Sequence, residues 1–273
     1  HDALPIYNIK IWLDKIQLTC QQIGHNYVDM IIDQCGVNFS VIPALSGFSP
    51  AIKWQSLYQG LPENIYPDDA PLLVRIELED AQQVQWLYAL AREAVATAPL
   101  LVLGSSWRFE VLAEWLIRCI DAQHEGRAGI FRFWDTRIFS YLFTHVLSDE
   151  QQSQLHRPTL FWSWLDRDEA PVLLEGNGAA LGEEELSEQI IFTDNQFESL
   201  MCLCDAKQLL VYQPLPKNLF MNRESEFSAC FKAMLAATKE GVLFEDKRNE
   251  WVAEYILKNK IYSDECGSGV NNL

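Results

Sequence analysis

Basic residues are scarce in this chain. Across 273 residues, 21 Lys and Arg face 38 Asp and Glu, a net charge of −17. Nucleic acids and anionic membranes both demand a basic footprint. Neither is therefore expected as a partner. The scarcity is uneven: from Asp168 to Ala206 there is no Lys or Arg, while ten acids occur, Glu183, Glu184, Glu185 and Glu188 among them. Such a run reads as a solvated face, or as a docking surface for a basic partner. Long apolar runs are missing too, and no stretch approaches the length that spans a bilayer. The opening His1-Asp2-Ala3-Leu4-Pro5 lacks a basic start followed by an apolar stretch, so it does not read as an intact secretory signal.

Phosphate loops are absent as well: there is no G-x-G-x-x-G and no P-loop. Gly176-Asn-Gly178 runs into Glu183-Glu184-Glu185, which would repel a phosphate. Metal-ligand spacing is lacking. The five His are scattered, and Cys202-x-Cys204 has no second pair after it, so it reads as part of a buried helical face. No metal and no cofactor is expected. The seven Cys are irregularly spaced, and several fall inside apolar helical patterns. This suits small buried hydrophobes in a reducing, cytoplasmic compartment rather than a disulfide framework.

What is present is core material. Hydrophobic residues make up 49% of the chain, enough to exclude global disorder, and nine are Trp. Ile9, Trp12, Leu13, Ile16 and Cys20 lie at helical spacing, stopped at Gly24. Strands are expected at Tyr27–Ile32, Ala70–Ile76 and Leu100–Leu103. Helices are expected at Gln82–Thr97, at Arg108–Asp121 and, broken in two, across Ile138–His156. Ile130–Trp134 reads as a strand after a turn at Glu125-Gly126-Arg127. Two more strands are expected near Leu160–Leu165 and Val172–Leu174. From Asp194 onward the pattern is helical. Phe197, Leu200, Met201 and Cys204 start the first helix, Phe227 to Thr238 make the second, and Trp251 to Ile256 the third.

The expected fold is α/β: a layered α/β N-terminal domain followed by a smaller all-helical C-terminal lobe. Its divisions are an α/β domain over 1–160, a strand pair and acidic connector over 161–193, a helical lobe over 194–262 and a flexible tail over 263–273.

The chemistry-bearing residues do not form a familiar catalytic set. Ser105, Asp135 and His145 could be imagined as a triad, but nothing in the sequence brings them together. More unusual is charge inside apolar segments. Arg118 lies beside the stripe Leu112/Trp115/Cys119, and Arg132 interrupts Phe131–Trp134. Asp135 and Arg137 follow. A charge near a core must pair. Arg118, Arg132, Asp135 and Arg137 are therefore expected to form one network, with Asp33 as a further member. The network would fix a strand-to-helix turn, or else bind a ligand.

The order of these features carries a resemblance. Tyr27 to Ile31-Ile32-Asp33 is followed by Trp54-x-Ser-Leu-Tyr-x-Gly60 and Ala70-Pro-Leu-Leu-Val74. Ser105-Ser106, Trp115-Leu-x-Arg118 and Phe131-Arg-Phe-x-Asp-x-Arg137 then come in turn. Over residues 25–165 the chain resembles the effector-chaperone (Tap/Tec adaptor) family of type VI secretion systems in Gram-negative bacteria. It departs from the family pattern at Gln34-Cys35 and at Thr136. The resemblance implies a non-catalytic protein that binds an effector toxin and helps load it onto the VgrG spike, without inserting in a membrane. Two other readings stay open: an immunity-type inhibitor of a toxin, and an unrecognised hydrolase.

Overall fold

A computed structural model describes residues 3–97, 100–182 and 184–267, without the side chains of 3–7, 95 and 261–267. The chain divides into two compact units, His1–Thr193 and Asp194–Leu273. Among the described residues no helix is long and apolar enough to cross a membrane.

In the first unit, helix α1 (Ala3–Gln22) buries Ile9, Trp12, Leu13, Ile16 and Cys20 on one face. Gly24 ends the turn after it at φ +75, where a side chain would be strained. The chain then forms β1 (Tyr27–Asp33), α2 (Ile42–Ser46), β2 (Lys53–Ser56), β3 (Pro71–Glu77), α3 (Ala81–Ala94) and β4 (Leu100–Gly104). Helix α4 (Phe109–Ile120) leads into a hairpin of β5 (Asp121–His124) and β6 (Arg127–Ile130). A short α5 (Phe139–Tyr141) continues as a π-helical turn over Leu142–Val146. Ser148 caps α6 (Asp149–His156) through a reciprocal pair of bonds with Gln151. Strands β7 (Phe161–Leu165), β8 (Pro171–Glu175) and β9 (Ile191–Phe192) complete the unit.

The main sheet has the order β2-β3-β1-β4-β7-β8, and every neighbouring pair is antiparallel. Strand and helix alternate along the sequence without producing parallel β-α-β units. Segment 161–193, set apart in the sequence, supplies two strands of this sheet and belongs to the same compact unit as 1–160. A smaller sheet pairs β5 with β6 and, in parallel, with β9.

Strand alternation gives the main sheet two dry faces. Val28, Met30, Ile32, Leu72, Val74, Ile76 and Val102 pack with α1 and α3. Trp12 donates Nε1–H to Ser163 Oγ at 2.9 Å, which ties α1 to β7. The opposite face carries Ile31, Leu73, Leu101, Leu103, Trp162 and Trp164, all buried. It also carries Asp29 and Arg75, which are register partners.

One expected strand is absent. Residues 131–134 form a turn after β6. The adjacent Phe133 and Trp134 pack in one aromatic cluster, Phe133 on Trp134 and Trp162 and Trp134 on Tyr58, whereas adjacent strand residues point to opposite faces. Phe133 N–H bonds the carbonyl of Phe131, and Asp135 N–H that of Arg132.

The second unit is three helices: α7 (Asp194–Tyr212), α8 (Arg223–Lys239) and α9 (Glu245–Gly267). Asn222 caps α8 by accepting from Ser225 N–H at 2.8 Å. Gly241 at φ +76 closes it, with Gly241 N–H on Thr238 and Val242 N–H on Ala237. The core joins Cys202, Leu203, Ala206 and Leu209 of α7 to Phe227, Cys230, Phe231 and Met234 of α8 and Val252 and Ile256 of α9. The face of α7 that is buried lies to one side of the expected stripe. Met201 and Cys204 are exposed, so only Cys202 of the Cys202-x-Cys204 pair is in the core. Helix α9 runs past Ser263, where the tail was expected to begin, and residues 268–273 lie outside the description.

The return of β8 depends on a close approach. A Cβ on Gly176 would lie 2.1 Å from the Thr159 carbonyl oxygen, a backbone atom that cannot swing away. Gly176→Ala is expected to lower stability by about 2 kcal/mol. Gly129→Ala, with open space around it, should stay within about 1 kcal/mol. Urea unfolding compares the two, and equal midpoints would contradict this packing.

Candidate functional site

The deepest polar feature is an ion pair across β1 and β3. Asp29 is 0% exposed, and Arg75 donates Nε–H to its Oδ1 at 2.8 Å and Nη2–H to its Oδ2 at 2.9 Å. Arg75 Nη2 also reaches the Trp107 carbonyl at 3.0 Å, and the guanidinium lies 4.1 Å from the Tyr27 ring centroid. Tyr27 in turn donates its hydroxyl to the Ser105 carbonyl. Burial pushes the Asp29 carboxyl up, and the paired Arg75 opposes that push. The pair was not anticipated, although Asp29 and Arg75 stand out as charges of opposite sign inside the apolar stretches of two strands.

Of the expected network, the structure assembles two pairs. Arg132 reaches Asp33 with Nη2 at 3.2 Å, and its guanidinium lies 5.3 Å from the Trp134 ring centroid. Arg137 makes a forked contact with Asp135, at 2.9 Å and 3.0 Å, while Asp135 Oδ1 also accepts Arg137 N–H. The two pairs feel each other: Asp135 raises the Asp33 pKa and Arg137 lowers it, behind burial, which raises it most, and Arg132. Arg118 stands outside. It meets Glu114 one helical turn away on α4, at 3.5 Å.

The turn that carries these pairs is an aromatic junction. Phe133 contacts Trp134 and Trp162 edge-on, and Trp134 meets Tyr58. Phe139 packs on both Trp162 and Trp164. Next to Asp33, Gln34 donates to the carbonyls of Pro67 and Ala70, which pins the loop presenting Ile65 and Tyr66 to solvent.

The acidic connector is fastened down at its middle. Glu185 accepts from Arg157 at 2.7 Å and 2.6 Å, which holds its carboxyl below the usual range. Arg157 also bonds the carbonyls of Ala179 and Ala180, and Trp107 Nε1–H donates to Ala179. Glu184 and Glu188 are exposed, and the Glu188 carbonyl accepts from Gln154. Glu183 lies outside the described residues. Of the acids expected to face a partner, Glu185 is therefore engaged internally.

The imagined triad is not assembled. Ser105 is buried, with its Oγ accepting Trp107 N–H; Asp135 holds Arg137; His145 Nδ1 lies 2.7 Å from Thr144 Oγ1. A different approach occurs at Ser106, whose Oγ is 3.3 Å from His25 Nε2. His25 Nδ1 is buried and makes no hydrogen bond among the described residues, so no carboxylate orients the ring as a general base requires. Cys20, Cys119 and Cys230 are held as thiols, with burial pushing each up to about 12.

These features define a class: an antiparallel sheet layered between helices and an aromatic, ion-paired turn, followed by a separate helical unit. Residues 30–154, from β1 to α6, match a family described as a Domain of unknown function (DUF4123). No curated protein and no solved structure matches the chain.

Two measurements test this electrostatic reading. Arg75→Met strips the Asp29 carboxylate of its guanidinium and is expected to lower stability by about 3–5 kcal/mol, most of it regained when Asp29→Leu is added. A single variant as stable as the native chain would contradict the pairing. The second concerns His156, whose Nδ1 accepts Trp162 Nε1–H at 3.1 Å and whose pKa burial lowers from its ordinary 6.5. The unfolded chain takes up that proton first, so stability holds above pH 6.5 and falls as pH drops through the folded value. Thermal unfolding between about pH 7 and 5 should show this loss, and His156→Gln should lessen it, leaving the share of His25, whose pKa burial also lowers.

Proposed function

We propose that this chain is a non-catalytic, cytoplasmic adaptor that binds a type VI secretion effector and helps load it onto the VgrG spike. The observation that carries the reading is the match of residues 30–154, because that family is associated with effector adaptors of this system. The ordered motifs over residues 25–165 point the same way. The geometry suits a scaffold. Asp29, Asp33 and Asp135 each hold an arginine, and the carboxylates stiffen the core rather than sit poised in a cleft. The helical unit is the part available for choosing cargo, and the exposed Glu184 and Glu188 favour a basic partner.

Coexpression with the effector and spike genes of the same cluster tests the proposal. Both proteins are expected to copurify with the chain, and deletion of its gene should abolish effector delivery. Recovery of neither would sink the adaptor reading. Protection from the toxin with delivery unchanged would favour an inhibitor instead.

A further inference from the structure

The helical unit exposes more apolar surface than its fold needs. Val211 and Tyr212 at the end of α7 are 73% and 75% exposed, and Leu243 and Phe244 before α9 are 64% and 82% exposed. Scattered apolar residues are ordinary on a protein surface, but large ones beside a cleft mark a contact site. Tyr212 and Leu243 both line a cleft of about 550 Å³ between α7 and the start of α9.

The cleft has an apolar and an acidic character at once. Leu209 lines it from the core. Asp205, Glu245 and Asp246 also line it, and the latter two are exposed. Arg248 is the one base in the lining among the described residues. It is 6% exposed and turned inward: it pairs with Asp205 at 3.3 Å and donates to the carbonyls of Val242 and Met234. Its charge is consumed inside the unit, so Glu245 and Asp246 set the sign of the rim. Both stand in the first turn of α9, where the helix dipole favours acids. That accounts for the acids and not for the apolar rim beside them.

We propose that this cleft receives an amphipathic helix of a partner protein, with apolar side chains laid on Leu209, Tyr212 and Leu243 and Lys or Arg meeting Glu245 and Asp246. Exposed apolar side chains beside acids offer an amphipathic helix a contact for each of its faces. An acidic helix would meet like charge at the lip, which selects against it. The inference rests on the adaptor reading and names the chemistry of the cargo segment.

The test uses the full chain and a fluorescent peptide of about 18 residues, five helical turns, with Leu on one face and Lys on the other. Fluorescence anisotropy should show saturable binding that weakens with salt. The same peptide with Glu in place of Lys should not bind. Tyr212→Ala with Leu243→Asp, and separately Glu245→Lys with Asp246→Lys, should each weaken binding by about tenfold or more while circular dichroism stays native. Absent binding, or binding that both variants leave unchanged, overturns the proposal. A dimer that Leu243→Asp dissolves would also overturn it, by placing a second copy in the cleft. Pull-down of the neighbouring effector separates the two levels. Recovery by native chain and cleft variants alike removes the cleft and keeps the adaptor, whereas failure of the native chain removes the adaptor itself.

Discussion

The Asp29–Arg75 pair is the constraint on which the first unit depends. Asp29 and Arg75 sit in the middle of β1 and β3, flanked along both strands by buried apolar residues. Such a pair adds little net stability over a hydrophobic one, but it is intolerant of rearrangement. A one-residue slip of β1 on β3 would move Asp29 to the opposite face from Arg75 and leave both charges unpaired. The pair therefore fixes the central register. Through the Trp107 carbonyl and the Tyr27 ring it also fixes the segment that leads from β4 into α4.

The turn over residues 131–137 is the second layer of the same design. It does not continue as a strand: the adjacent Phe133 and Trp134 enter one aromatic cluster, Phe133 against Trp162 and Trp134 against Tyr58, while Phe131 packs on Phe192. The chain bends instead, and the bend is held at its surface by Arg132 on Asp33 and Arg137 on Asp135. Asp33 ends β1, so one short strand carries acids for two separate locks, one buried and one half-buried. Farther along, Arg157 draws Glu185 and the connector back onto the unit. Most of the conspicuous charge in this unit thus serves its own architecture. Large apolar side chains are left exposed at Ile65 and Tyr66.

Much of this was legible in the sequence where a local signal suffices. The stripe of α1, the apolar cores of β1, β3 and β4, the short helix α6 and the helical character beyond Asp194 follow from spacing and side-chain type. The failures share a cause. Residues 131–134 look like a strand because aromatic residues favour strands, yet their burial is decided by a pocket built from Tyr58, Trp162 and Phe192. The face of α7 was misjudged because Phe197, Leu200, Met201 and Cys204 form an adequate stripe by themselves. The choice of Cys202, Leu203, Ala206 and Leu209 was made by α8 and α9.

By itself the sequence determined the composition of the layers, the acidic balance, the helices and strands with strong periodicity, and the presence of charges that had to be paired. Only the tertiary structure decided who pairs with whom. Asp29 and Arg75 are 46 residues apart, Asp33 and Arg132 are 99 apart, and Arg157 and Glu185 are 28 apart. A carboxylate on a chain carries no address. Its partner is chosen by strand register and by the direction a turn takes, and both are set by packing between distant segments.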